Sequence, residues 1–457
     1  MSDFTQTLDA DGLATITWDC QSRPMNVMST QGFADLSALI DGCLIDPEVK
    51  GVIITSAKSN FAVGMDLAVI AETKDMHPEN PAQGYFEMVM EIHKILRKIE
   101  LAGMELKTKK GGKPIVAVLP GTALGIGLEI PLACHHIICA DNPKAKIGLP
   151  EIKVGIFPGA GGTTRLVRKM GALAASPYLL QGKLCSPAEA QTAGIIDAVS
   201  ATPLADAKAW ILAAKDADLV KPWDAKGYKM PGGAPYHPAG FMTYVGASAM
   251  VNGQTMGVYP AAKALLSAVY EGALVPFDTA LKIEARQFTS VIMNPSSSNM
   301  IRSLFLNKGA LDKGAVRPKD VPDQSVRKLG ILGAGMMGAG IALVSAQAGI
   351  EVVLIDQTQE AADRGKAYVA NYCDKRIARR KSTSEQKEAL LSRIDATTHY
   401  QALTECDLII EAVFEDPKIK AVVTRQVEAV IGPDSIFASN TSTLPITELA
   451  KASARPD

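Results

Sequence analysis

Two glutamates stand where side chains of their kind are rarely left without a task. Gly121-Thr122-Ala123-Leu124-Gly125-Ile126-Gly127-Leu128-Glu129 and Ile147-Gly148-Leu149-Pro150-Glu151 each end an apolar, glycine-rich run on a carboxylate. Burying a carboxylate is costly unless it is paired or neutralised. Glycines let backbone approach whatever the carboxylates face. Pro131, Pro143 and Pro150 interrupt the stretch, so no single helix spans both glutamates and the fold must bring them together. Together they can hold one water, one taking its proton while the other serves a neighbouring carbon. Adjacent carboxylates also push their pKa values apart, which lets one be acid and the other base near neutrality. A lone Glu in an apolar run is ordinarily a helix-end or salt-bridged residue; only the whole set of motifs points to chemistry.

A second constellation lies near residue 330. Val326–Leu332 reads as a strand running into Gly333-Ala334-Gly335-Met336-Met337-Gly338, with helical sequence behind it and a second strand, 351–355, ending on Asp356. A GxGxxG by itself is weak; between a strand and a helix, with an acid closing the next strand, it is specific for a dinucleotide. Gly333 permits the tight turn, Gly335 the approach of the pyrophosphate and Gly338 the close packing of the helix. Asp356 would accept from a ribose hydroxyl and repel a 2′-phosphate, which selects NAD over NADP.

These motifs need a frame of alternating strands and helices. Leu13–Trp18, 51–56, 115–119 and 136–140 read as strands; 84–103 and 163–180 read as helical, the former with Met88, Ile92, Ile95 and Ile99 in register. That is an α/β core. Residues 219–260 are rich in Pro and Gly and read as a long connection, helical patterning resumes over 260–310, and a second break covers Gly309–Gln324. The expected organisation is a core over 1–200, a connecting segment with linker helices over 201–310, a linker over 311–325 and a nucleotide-binding domain over 326–457.

Composition narrows the function classes. At 457 residues with 47% hydrophobic and 21% charged residues, the chain is globular and long enough for two or three domains. A formal net charge of −1 offers no field for nucleic acid or an anionic membrane. Seven scattered Cys without a CxxC fit a reducing, cytoplasmic setting, and neither a signal-peptide pattern nor a membrane-length apolar run is visible. No metal site is expected: His135 and His136 are neighbours on a strand and point to opposite faces, and Cys134 and Cys139 read as structural. Asp66 reads as a capping or loop-bonding residue. The basic loop of Lys107, Lys109, Lys110 and Lys113 is either solvated or a contact for ligand phosphates.

The first set of motifs resembles the crotonase (enoyl-CoA hydratase/isomerase) superfamily. The resemblance covers roughly residues 1–200: Phe61-x-x-Gly64-Met65-Asp66, the Glu129 motif, Ile147–Glu151 and Gly155–Thr163 fall in the family's order. It implies a ββα spiral core with a helical extension. By it Glu129 and Glu151 match the two hydratase glutamates, and the backbone N–H groups of Met65 and Ile126 match the oxyanion hole. The family more often carries Ala at the first of these positions and Gly at the second.

The second set resembles the NAD domain of 3-hydroxyacyl-CoA dehydrogenases, in Asp407–Lys420 and Ser435–Leu444. By that resemblance Met337, Asp356, Glu415 and Lys420 lie near the cofactor, and Ser442 hydrogen-bonds the substrate hydroxyl. The family's catalytic His follows beyond the position of Asp457, so this Rossmann domain is expected to be partial and unable to complete the oxidation. Crotonase followed by dehydrogenase is the order of the multifunctional α-subunits of fatty-acid β-oxidation complexes, which implies hydration of a trans-2-enoyl-CoA and a thiolase β-subunit as partner. Isomerisation of enoyl-CoA by Glu151 alone, or a silent CoA- and NAD-binding scaffold, are the competing readings.

Overall fold

The computed structural model describes residues 2–66, 69, 77–321, 324–379 and 381–456; Leu67 and Pro322, which fall in motif and break segments of the sequence reading, lie outside these. The chain forms two compact units, Met1–Val316 and Arg317–Asp457.

In the first unit, β1 (Phe4–Leu8) and β2 (Leu13–Trp18) form an antiparallel hairpin at one edge of a sheet. α1 (Thr30–Ile45) leads to β3 (Gly51–Ser56), and α2 (Pro81–Leu101) to β4 (Ile115–Leu119). Next come the two-residue β5 (Ala123–Leu124), α3 (Ile126–Ala133), β6 (His136–Ala140) and the two-residue β7 (Ile147–Gly148). A 3₁₀ turn over Glu151–Val154 precedes α4 (Gly162–Met170), α5 (Ala172–Leu180), α6 (Pro187–Thr192), β8 (Ala198–Ser200) and α7 (Pro203–Ala213). Among the described residues the main sheet has the order β1-β2-β3-β4-β6-β8, parallel from β2 onward.

Beside this sheet runs a thinner set of pairings: Ala62 with Ala123, β5 with β7, and Ile147 with Cys185. The chain thus repeats one passage, from main strand to short pairing to helix. Trp18 anchors the core between Phe4, stacked at 5.2 Å, and Phe61, edge-on at 5.9 Å.

Two boundaries differ from the sequence reading. The stretch 219–260 is not a plain connection, because Pro238–Thr255 forms an 18-residue helix, α8. It contains no charged residue and buries only Gly240 and Val251, so it lacks the polar–apolar period by which helices are recognised. The 163–180 helix is two, broken at Gly171 (φ 87°). α9 (Pro260–Gly272), α10 (Phe277–Ile292) and α11 (Pro295–Met300) follow, then a π-helical stretch, Ile301–Asn307, and α12 (Lys308–Asp312), which runs through Gly309.

The second unit holds a parallel sheet of β9 (Lys328–Leu332), β10 (Glu351–Ile355), β11 (Ile394–Thr397), β12 (Leu408–Glu411) and β13 (Ile436–Ser439), in the order β11-β10-β9-β12-β13 among the described residues. α13 (Met336–Gln347) follows β9, and α14 (Gln359–Ala378), α15 (Ser384–Leu391) and α16 (Pro417–Glu428) complete the crossovers. The topological switch lies beside β9, where the chain leaves toward β10 on one side and returns to β12 on the other.

Candidate active site

The short pairings place four sequence-selected positions at one cavity. Met65 stands three residues after Ala62, Ile126 two after Leu124, and Glu151 three after Gly148; Glu129 sits one turn into α3. All four line a largely apolar cavity of about 330 Å³. Its walls include Met88, Ile92, Phe157, Phe288, Ile301 and Phe305.

Glu129 is 3% exposed. Its Oε1 accepts from Ala160 N–H at 2.9 Å and Gly162 N–H at 2.8 Å. Burial drives its carboxyl well above the ordinary range, and the charges of Glu151 and Glu284 push the same way; the two N–H bonds oppose them without prevailing. Glu151 opens the 3₁₀ turn, and its Oε2 is buried with no hydrogen-bond partner among the described residues. Burial lifts its carboxyl to about 7. An unpartnered buried carboxylate oxygen is otherwise costly, and a raised pKa is how such a group avoids the full cost. Gly125 separates the two acids: φ is 58°, and a Cβ there would stand 2.9 Å from Glu151 Oε1, so only glycine fits.

Backbone donors complete the site. Met28 bridges to Met65 by donating to Gly64 O at 3.0 Å and accepting from Asp66 N–H at 2.8 Å. In a parallel bridge the intervening residue's own N–H points to the other side, and among the described residues Met65 N–H meets no backbone acceptor. Ile126 is the first residue of α3, where N–H groups have no intrahelical partner. The Ile126 side chain is 2% exposed and packed in the core, while Met65 is half-buried.

Other sequence candidates are structural. Lys113 Nζ donates to Cys43 O at 2.8 Å and Asp46 O at 2.6 Å, tying down the end of α1; it is not a free phosphate contact. His135 Nδ1 accepts from Ile115 N–H at 2.9 Å and its Nε2 meets Glu100 O at 3.1 Å, while His136 stacks on Trp210 at 4.8 Å. Asp66 forms an ion pair with Arg23. All seven cysteines are buried and unpaired.

Two buried side chains at the first site escaped the sequence reading: His93 on α2 and Glu284 on α10. Each interrupts an otherwise apolar helix face, Val89-Ile92-His93-Leu96 and Leu281-Glu284-Ala285-Phe288. That interruption was the available signal.

In the second unit Gly333 turns the chain at φ 95° and Gly338 lies against Gly333 O, where no side chain fits. A Cβ at Gly335 would meet nothing within 4 Å, so the turn is open on that side, at the N-terminus of α13. The residues present fit a dinucleotide: an open glycine turn, unpaired helix N–H groups and an acid at the end of β10. Asp356 accepts from Ala334 N–H and Gln357 N–H, both at 2.7 Å, and each oxygen keeps a second lone pair. Met337 is exposed on the first turn of α13. Lys420, 2% exposed, donates to Glu411 at 2.8 and 2.9 Å and pairs with Glu415 at 3.1 Å. Glu415 is held down to about 2, chiefly by its hydrogen bonds from Thr441 and Lys420; Ser442 N–H reaches it at 3.4 Å. Glu411, the partner that lets Lys420 be buried, was not singled out from sequence.

Among the described residues no helix is long and apolar enough to cross a membrane. Residues 9–217 match the family described as enoyl-CoA hydratase/isomerase, and 328–457 match the 3-hydroxyacyl-CoA dehydrogenase, NAD binding domain. Curated relatives include the fatty acid oxidation complex subunit alpha of Shewanella amazonensis, 31% identical over 99% of this chain and 62% of its own length. The protein of the same name from Acinetobacter baylyi is 34% identical over 99% of this chain and 61% of its own. The chain therefore spans about three-fifths of the relatives it matches. Among solved structures, an enoyl-CoA hydratase from Mycobacterium avium subsp. paratuberculosis is 22% identical, covering 66% of this chain and 99% of its own, with a TM-score of 0.44.

Proposed function

We propose that this chain, whose first domain belongs to the enoyl-CoA hydratase/isomerase family and whose second belongs to the NAD-binding domains of 3-hydroxyacyl-CoA dehydrogenases, adds water across the double bond of a trans-2-enoyl-CoA. The observation that carries this is that two buried carboxyls with raised pKa and two residues whose backbone N–H groups meet no backbone acceptor among the described residues line one apolar cavity.

The thioester oxygen sits against Met65 N–H and Ile126 N–H, and the acyl chain lies along Met88, Ile92 and Phe288. Glu129, fixed through Oε1 by the 160–162 loop, orients water with its other oxygen. The water oxygen bonds to C3 and gives its proton to the carboxylate pair. The C2=C3 electron pair moves toward the thioester oxygen, whose charge the two N–H groups hold. Glu151, buried and near 7, delivers a proton to C2. The product is a 3-hydroxyacyl-CoA and the pair returns with one shared proton. Loss of the conjugated-thioester absorbance of crotonyl-CoA tests the reading; absence of that loss at enzyme concentrations stoichiometric with substrate refutes it.

The second domain binds NAD in this reading, with the pyrophosphate at the glycine turn and a ribose hydroxyl on Asp356. NAD supplies the hydride acceptor for a 3-hydroxyacyl thioester. Glu411 holds Lys420 in place, Lys420 and Glu415 border the cofactor, and Ser442 faces the substrate hydroxyl. Titration calorimetry with NAD and NADP is expected to give heat with the former only. The relatives are named subunits of a complex, and the reading extends to a thiolase β-subunit that would consume a 3-ketoacyl-CoA. It also extends to a cytoplasmic location, which buried free thiols suit. Co-purification of a thiolase from the native cytoplasm is the corresponding test.

A further inference from the structure

The loop that holds Glu129 is itself held from beyond the segment that matches the hydratase/isomerase family, within the same compact unit. Glu284 lies on α10, beyond the matched segment 9–217, and is fully buried. Its Oε1 accepts from Gly161 N–H at 2.6 Å; its Oε2 accepts from Thr164 N–H at 2.8 Å and Thr164 Oγ1 at 2.6 Å. Those donors interleave with the ones serving Glu129: Ala160 and Gly162 N–H point to Glu129, Gly161 and Thr164 N–H to Glu284. One turn of backbone is therefore gripped by two carboxylates through alternating N–H groups.

The grip is reinforced at both ends. His93 Nε2 meets Gly159 O at 2.8 Å and stands 3.8 Å from Glu284 Oε1. Arg165, fully buried, donates to Ala160 O at 3.2 Å and is held by Glu100 at 2.9 and 3.1 Å. The ionisable groups around the loop and Glu129 are thus His93 and Glu100 on α2, Glu129 on α3, Glu151 on the 3₁₀ turn, Arg165 on α4 and Glu284 on α10. A desolvated carboxylate accepting three hydrogen bonds at one turn fixes backbone far more tightly than an exposed one, because the alternative is an unsatisfied buried charge.

We propose that Glu284 is a positioning residue for hydration: by clamping the 160–164 turn it aims Glu129 at the water, so the hydratase site is completed by α10. The proposal rests on the hydratase reading. It makes Glu284→Gln more disruptive than its shape suggests, because the amide must turn an N–H donor toward either Gly161 N–H or Thr164.

The test compares the full chain with Glu284→Gln, Thr164→Val and Glu129→Gln, using crotonyl-CoA hydration across pH and hydrogen–deuterium exchange of residues 160–164. Glu284→Gln is expected to lower kcat about 10- to 100-fold, with KM changed by less than about threefold. It should also move the acidic limb of the kcat profile to lower pH, since a charge that raises Glu129 is gone, and speed exchange in the turn. Thr164→Val, which removes the hydroxyl bond alone, should lower kcat by about twofold to tenfold; it carries the test if Glu284→Gln does not fold. Wild-type hydration with variants whose kcat, pH midpoint and loop exchange are unchanged overturns the proposal. A loss of kcat with no shift of the limb and no faster exchange also overturns it. If the wild type does not hydrate crotonyl-CoA but Glu284→Gln still frees the loop, the hydratase reading falls and the clamp stands.

Discussion

The two units bury carboxylates in opposite company. In the first, Glu129 and Glu151 line one apolar cavity as like charges, and both carboxyls are raised. In the second, Glu411 is buried against the ammonium of Lys420 and also accepts from Ser439 Oγ at 2.7 Å and Val413 N–H at 2.8 Å. Like charges forced together retain a proton, which is what acid–base chemistry needs. Opposite charges brought together with their hydrogen bonds filled make a fixed strut. Burial raises both acids of the first site, with like charges adding to it at Glu129, whereas at Glu411 a buried cation answers the same burial.

The widest separation between the two kinds of site should come from Glu151→Gln. It is expected to cut the hydration kcat by about 10²- to 10⁴-fold, and a residual rate above a tenth of wild type would break the comparison. Lys420→Met leaves Glu411 buried without its cation. The second unit should lose about 3–5 kcal/mol, read as a lowered unfolding transition of that unit by calorimetry.

Acid sharpens the contrast further. Glu151 sits at about 7 in the folded chain against an ordinary 4.5, so the native state binds more protons between those values. Its stabilising contribution is complete below about 4.5 and gone above about 7. Glu415, held to about 2, behaves the other way: its contribution is complete above about 4.5 and lost as pH falls toward 2. Gln mimics the protonated carboxyl, so Glu151→Gln and Glu415→Gln should lie closest to wild type near pH 3 and depart from it as pH rises to 8, the first toward higher unfolding temperature and the second toward lower. Parallel curves would remove the distinction. Asp356→Ser is expected to narrow the preference for NAD over NADP by about tenfold, measured by calorimetry. The smallest effect belongs to Met65→Ala: the N–H donor remains, so kcat should stay within about threefold while the optimum acyl length shifts upward as the half-buried side chain is removed.

Glu129, Glu151 and the glycine turn were legible because their meaning is local: a carboxylate closing an apolar glycine run, a turn between strand and helix. Asp356 was legible from its place at the end of the second strand. Glu284 was not, because it bonds a turn 120 residues earlier, and spacing carries no information over that distance. His93 and Glu411 share this property: each is an ordinary polar residue until its partner is known. Helix α8 was missed for a different reason. Prolines and glycines surround it, and its uncharged faces give no period. Lys113 read as either solvated or a phosphate contact because sequence records the charge but not the helix-end carbonyls it meets.

Glu284's distance from the turn also orders events in time. At ribosomal speeds of about 5–20 residues per second, the 120 residues between Thr164 and Glu284 take about 6 to 24 s to emerge. For that interval the nascent chain holds both cavity glutamates, Glu129 and Glu151, but neither Glu284 nor the Phe288, Ile301 and Phe305 wall of the cavity. In the proposed function, competence for hydration waits for α10 to emerge, and ribosome-arrested chains ending near residue 250 should bind chaperones more strongly than chains ending past 330.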